Sequence, residues 1–163
     1  IRDSYAGWVD DAGEARLEFV GLEVVRRDWT ALARRVQRGL YERLFADSEV
    51  EPFLARVVSD LRESRLDEEL IYRKALRKRL EAYTATTPPH VAAARKMKGR
   101  IGRTIEYVMT TDGAEPAAER RHPFDYEHYV ARQVRPVAEP VLAHLGLEFD
   151  RAVGDDRQLG LFG

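Results

Sequence analysis

Residues 28–44 read DWTALARRVQRGLYERL, and this stretch decides the fold class. Trp29, Leu32, Val36, Leu40 and Leu44 recur at spacings of three and four, which gathers them on one face of a helix. Arg34, Arg35, Arg38 and Arg43 fall on the other face. Asp28 stands where a helix needs a side-chain oxygen for its first free N–H groups. So strongly two-sided a helix predicts a helical framework packed on a core.

Working outward, a second helix follows Pro52, with Leu54, Val57, Val58 and Leu61 facing inward. A proline near a helix start is tolerated because early N–H groups have no helical partner. Upstream, Tyr5 to Val9 and Arg16 to Val25 are β-prone, and Asp10, Asp11, Ala12 and Gly13 supply turn chemistry. The pattern predicts a hairpin with Leu17, Phe19 and Leu22 on its buried side. Downstream, Leu70 to Tyr72 is a short apolar run. The basic stretch Arg73, Lys74, Arg77, Lys78 and Arg79 is predicted to continue as a helix to Tyr83. A short helix starts at Pro88 or Pro89 and runs to Gly99. Thr104 to Thr111 reads as a strand with Ile105, Tyr107 and Met109 on one face, turned by Asp112-Gly113. Ala114 to Pro123 reads as an exposed loop. Asp125 caps a last long helix, which Pro136 kinks or breaks. After Gly146 the apolar pattern fades. The fold class is mainly α with a small β component (α+β).

Composition narrows function. Of 163 residues, 44% are hydrophobic, enough for a core, and 34% are charged. The 27 basic and 28 acidic residues nearly cancel, which excludes a uniformly basic nucleic-acid binder but not a basic face. Without cysteine there is no disulfide or thiolate zinc site. No apolar run approaches the ~20 residues that span a bilayer, and no signal peptide opens the chain. The expectation is a cytoplasmic protein with no membrane partner. Ile1 in place of methionine, with a strand starting at Tyr5, reads as a piece cut from a longer protein.

Catalytic and metal-binding residues are not evident. His90, His122, His128 and His144 stand in no zinc-site spacing and read as surface or loop histidines. The pairs Asp10-Asp11 and Asp155-Asp156 lie in a turn and a polar tail, where acids are solvated. Arg95, Lys96, Lys98, Arg100 and Arg103 are more informative, falling within nine positions that hold no acid. With Gly99 and Gly102 between them, they form a loop able to lay cations and N–H groups along phosphates, or simply a solvated face.

A series of short strings gives the basic run a context. Tyr5-Ala6-Gly7 resembles the end of the basic motif at the palm–thumb boundary of family B DNA polymerases. Gly21-Leu22-Glu23-Val24-Val25-Arg26-Arg27-Asp28-Trp29 is similar to the segment that opens their thumb, and Leu32-Ala33-Arg34 with Gln37 continues it. Ile71-Tyr72-Arg73, Pro89-His90-Val91-Ala92-Ala93-Ala94 and Gly102-Arg103-Thr104-Ile105-Glu106-Tyr107-Val108 resemble the next three markers. Asp125-Tyr126-Glu127-His128-Tyr129, with Gln133 and Pro136, looks like the closing helix. Order and separations agree over nearly the whole chain. Gln158-Leu159-Gly160-Leu161-Phe162 resembles the pentapeptide that binds the bacterial sliding clamp, which points to the polymerase II-like branch.

The resemblance implies a palm–thumb hairpin at 1–27, a thumb at 28–146, and a flexible tail with the clamp peptide at 147–163. Tyr5 would lie near the primer end, and Arg27, His90, Lys96, Arg100, Arg103 and Thr104 would face primer–template DNA. Arg26, Arg27 and Asp28 could instead pair within the thumb. Tyr107, Tyr126 and Tyr129 read as packing residues. Gln158, Leu159, Leu161 and Phe162 would contact the clamp. The family's catalytic aspartates and their magnesium ions lie in an upstream palm, so this chain holds no cofactor of its own. The parent would be a DNA-directed DNA polymerase with a 3′–5′ exonuclease. The alternative is a free-standing DNA- and clamp-binding subunit of a split polymerase. The sequence departs from the family at Asp3 and Ser4, where basic residues are usual, and between Lys98 and Gly102, which is short.

Overall fold

The computed structural model describes residues 5–11, 14–19 and 29–154. The first two segments pair as strands β1 (Tyr5–Asp11) and β2 (Glu14–Phe19), an antiparallel hairpin with a bulge where Tyr5 and Ala6 both oppose Phe19. The expected continuation to Val25 and the buried side of this hairpin lie outside what is described.

Helix α1 (Ala31–Phe45) forms where its periodicity predicts, but Thr30 caps it. Thr30 is extended, and its Oγ1 accepts a hydrogen bond from the Ala33 N–H at 3.3 Å. The cap sits two residues past Asp28 because the chain is still extended at Thr30. Leu32, Ala33, Val36 and Leu40 are fully buried. Gly39 is buried on the same helix because the Phe53 ring lies 2.1 Å from where its Cβ would be. Phe53 belongs to α2 (Glu51–Arg62), whose Leu54, Val57, Val58 and Leu61 face the core as expected.

The basic stretch after Tyr72 is not a helix. It forms β3 (Tyr72–Ala75), followed by a 3-10 turn at Leu80–Ala82. Only Tyr72 of β3 is buried, so an exposed charged strand leaves no apolar period in the sequence to read. β3 pairs antiparallel with β4 (Thr104–Thr110), and β4 with β5 (Gly113–Pro116), in the order β3-β4-β5. β5 occupies the start of the segment expected to be an exposed loop. Ala114 and Glu115 are buried there, and Gly113 makes the turn with φ of +92°. α3 (Pro89–Arg95) packs against β4 and β5 and ends short of Gly99.

The closing helix runs as α4 (Tyr126–Tyr129), a π-helical segment (Val130–Val134) and α5 (Arg135–His144). Asp125 caps it, its side chain accepting from the His128 N–H. Pro136 has no N–H to give to an α-helical bond. The turn before it widens instead, and Arg135 N–H reaches Val130 O. The proline is thus absorbed by a π-bulge, one of the known responses of a helix to a broken ladder. That bulge carries Gln133, 2% exposed, into the core. Its Oε1 accepts from both the Thr30 N–H and the Thr30 Oγ1–H, each at 2.8 Å across 103 positions of sequence. α1 packs against the π segment and α5 around this contact.

The packed chain continues past Gly146, whose φ of +74° ends α5 in the left-handed conformation. α6 (Phe149–Ala152) buries Phe149 and Ala152. Arg135 lies over the Phe149 ring at 4.6 Å and bonds Asp150.

Thr30→Ala removes the α1 cap and one partner of a buried amide. It should lower stability by about 1–3 kcal/mol. Gln133→Ala should cost a similar amount, and the double variant should cost less than the sum when followed by urea unfolding. Strictly additive losses would show that the two side chains do not act as one unit.

Candidate nucleic-acid interface

The register of β3 on β4 builds this surface. Tyr72 opposes Tyr107, Arg73 opposes Glu106, Lys74 opposes Ile105 and Ala75 opposes Thr104. The Leu76 N–H then donates to Arg103 O at 2.8 Å, which extends the pairing by one step. The middle of one basic run is thereby laid beside the end of the other. Lys74, Arg77, Arg79, Lys98, Arg100, Arg103 and Thr104 are all exposed. Among the described residues, the side chains of these six cations form no ion pair or hydrogen bond.

Other cations nearby are already engaged. Arg73 pairs with Glu106 across the strands at 2.6 Å. Arg95 donates to Leu80 O at 3.1 Å and Tyr83 O at 2.9 Å, tying the turn before α3 to its last residue. Lys78 lies over the Tyr83 ring at 4.8 Å. Lys96 Nζ donates to Ala114 O at 2.8 Å and approaches Asp112 O at 3.4 Å, anchoring α3 to the β4–β5 turn. With 40% of its side chain exposed, Lys96 remains a partly open cation.

Two histidines differ from the surface residues the sequence suggests. His90 is 4% exposed, meets the Tyr83 ring edge-on, and has no partner for Nδ1 among the described residues. Burial, with Lys74 nearby adding to it, holds its pKa below the ordinary value, so it is neutral at neutral pH. His128 is half-buried, with Nε2 2.8 Å from the Tyr72 hydroxyl. Burial lowers its pKa too, with Asp125 opposing and Arg132 assisting. Tyr72 also stacks on Tyr107 and Tyr129, with centroids 5.0 and 5.6 Å away. Tyr129 donates to Leu70 O and accepts from the Met109 N–H, so it ties β4 and the segment leading into β3 to α4. Tyr107 and Tyr129 are buried and Tyr126 is half-buried, as their packing role requires.

Below the sheet edge, Asp112, Glu115 and His122 place possible metal-ligand atoms within 4.8 Å of one another. The chemistry does not favour a cation there. Lys96 Nζ stands 4.0 Å from Asp112 Oδ2. Glu115 Oε1 accepts from the N–H groups of Arg121 and His122, and Oε2 bonds His122 Nδ1. Burial alone would raise the Glu115 pKa. Those hydrogen bonds and the charge of His122 outweigh it and hold the carboxyl at about 2. The group fastens the segment after β5 to the hairpin. A set of this kind does not fit the two-magnesium chemistry of nucleotidyl transfer.

The surface therefore offers exposed cations on β3 and in the segments flanking β3 and β4, without a catalytic set among the described residues. Comparison with known proteins decides what kind of protein carries it. The profile of DNA polymerase family B matches residues 3–146.

The chain belongs to DNA polymerase family B.

Its relatives include DNA polymerase II of Escherichia coli (strain K12), 41% identical over 169 residues, covering 97% of this chain and 21% of that protein. The DNA polymerase of Thermococcus kodakarensis is 34% identical over 168 residues, covering 91% of this chain and 10% of that protein. DNA polymerase 2 of Aeropyrum pernix is 31% identical over 162 residues, covering 89% and 20%. The chain thus spans about a fifth or less of the length of these curated relatives. In this polymerase II-like chain, Arg27, Gln158, Leu159, Leu161 and Phe162 lie outside the described residues, and Tyr5 is described only as the first residue of β1. Lys74, Arg77 and Arg79 lie beside Arg103 and Thr104, although the sequence suggests only that they belong to a helix. The cross-strand register was the missing signal.

Glu115→Gln should lower the urea midpoint at neutral pH by removing an anion held by three hydrogen bonds. The folded pKa of about 2 lies below the ordinary 4.5, so this stabilisation is complete above about pH 4.5 and fades as pH falls toward 2. The variant's stability should depend less on pH across that window. A wild-type pH profile in the variant would show that Glu115 does not carry this effect.

Proposed function

We propose that this chain is the thumb of a polymerase II-like DNA polymerase, gripping primer–template duplex through its sugar–phosphate backbone. The observation that carries this reading is the Ala75–Thr104 register, which joins two basic runs into one exposed edge in a family B chain. Cations without internal partners are free to replace the counterions of phosphates, and phosphate contacts give the sequence-independent hold that copying requires. Arg100, Arg103 and Thr104, with Arg77 and Arg79, make the direct contacts. Lys96 adds the part of its ammonium left over from the β4–β5 turn. His90, neutral and buried, shapes the start of α3 beneath them. Tyr5 and Arg27 belong to the primer side at the palm junction. Magnesium and the catalytic aspartates belong to the palm of the whole protein.

The tail reading rests on sequence. Gln158 offers hydrogen bonds, and Leu159, Leu161 and Phe162 offer apolar anchors for the groove of a sliding clamp. Tethering to a ring around DNA raises the effective concentration of polymerase at the primer end, so a modest grip suffices for processive synthesis in replication or repair.

Duplex binding followed by fluorescence anisotropy should weaken steeply with salt. Arg100→Ser with Arg103→Ser should reduce the log–log slope by about 1.8, at about 0.9 per phosphate lost. An unchanged slope would remove these residues from the contact. Ending the chain after Arg157 should abolish capture on immobilised clamp while leaving duplex affinity within about twofold. Capture that survives the truncation would refute the tail assignment.

A further inference from the structure

The outer face of α1 carries a feature that the duplex-gripping edge does not use. Arg34, Arg35, Arg38 and Arg43 line a groove of about 630 Å³ floored in part by Phe53, and they outnumber the two acids in it, Glu42 and Glu69. Arg35 is fixed by a two-point pair with Glu69, Nε to Oε1 at 2.8 Å and Nη2 to Oε2 at 2.5 Å. Arg43 lies over the half-buried Phe53 ring at 4.1 Å and donates to Gly39 O. Arg34 and Arg38 are exposed, and among the described residues neither has an ion-pair or hydrogen-bond partner. They stand four residues apart on one helical face, about 6 Å along the axis.

We propose that this groove binds a single strand of nucleic acid, separate from the duplex held at the β3–β4 edge. Guanidinium groups match the two-oxygen geometry of a phosphodiester better than ammonium does. Arg34 and Arg38 meet successive phosphates. The pair of Arg43 and Phe53 gives a flat surface on which a base stacks, the combination of cation and aromatic that single-strand sites use. The groove's residues come from α1, α2 and the turn before β3, and none belongs to the duplex edge. The inference rests on membership of a DNA polymerase family, not on the duplex reading.

Anisotropy of a labelled oligothymidylate of about 12 nucleotides, within the span of single-strand sites, tests it on the 163-residue chain. Arg34→Ser with Arg38→Ser should weaken oligonucleotide binding at least fivefold, roughly, and cut its salt slope by about 1.4, at about 0.7 per phosphate. Duplex affinity should stay within about twofold. Arg100→Ser with Arg103→Ser should do the reverse. Both pairs are exposed, and a wild-type circular dichroism spectrum will confirm folding. Arg34→Lys with Arg38→Lys should keep the salt slope but not the full affinity. Unchanged oligonucleotide binding in the serine variant would overturn the proposal. So would an equal loss for single strand and duplex. Displacement of the oligonucleotide by polyglutamate at equal charge would assign the groove to an acidic protein and overturn it as well. If duplex binding proves absent while the Arg34 and Arg38 effect holds, the duplex reading falls and this one stands.

Discussion

One amide oxygen, Oε1 of Gln133, takes two hydrogens from Thr30. The start of the first core helix and the middle of the last are joined there, inside the core, where a lost hydrogen bond cannot be replaced by water. Thr30 is engaged twice, because its hydroxyl also accepts from the helix it caps. The direction of α1 and the placement of the π segment are thus one constraint. α5 and α6 follow from it, and so does the stack of Tyr129 on Tyr72 that seats the small sheet. The basic segments that flank β3 and β4 start from the sheet seated by this stack.

Arginine is used in two ways across the molecule. Arg35, Arg62, Arg73, Arg95 and Arg135 are spent on carboxylates or carbonyl groups that fasten one element to another. Most of these pairs are exposed, so each adds little stability on its own, and their effect is to set geometry. Of the arginines without a side-chain partner among the described residues, Arg77, Arg79, Arg100 and Arg103 lie at the β3–β4 edge and Arg34 and Arg38 in the α1 groove, while Arg121 and Arg132 belong to neither. A nearly neutral chain can therefore present local positive charge, although Glu42 shares the α1 groove and Glu81 follows Arg79.

The helices were legible where an apolar face repeats. Leu32, Val36 and Leu40 in α1, and Leu54, Val58 and Leu61 in α2, sit where their spacing puts them. β4 and its Asp112-Gly113 turn were legible for the same reason. β3 was not, since a strand exposed on nearly every residue shows no period, and its run of Arg and Lys suits a helix as well. β5 was hidden because its buried positions are Ala114 and Glu115, a small residue and an acid. The buried state of Glu115 depends on N–H groups six and seven positions along, which no local pattern reveals. The interface was half legible. Charge density pointed to Arg100 and Arg103, but only pairing could add Arg77 and Arg79. Lys96 looked like a free cation until its bond to Ala114 O was seen.

The π segment has a consequence for how this region tolerates change in length. In an α-helix one added residue rotates everything beyond it by about 100°. A π turn bonds five residues back instead of four, so it takes in one residue more for about the same rotation. Val137, Ala138, Val141 and Leu142 still face the core beyond it. The segment acts like slack gathered into a single turn: a change of one residue in length is absorbed between Val130 and Val134, and the downstream stripe keeps its bearing on α1.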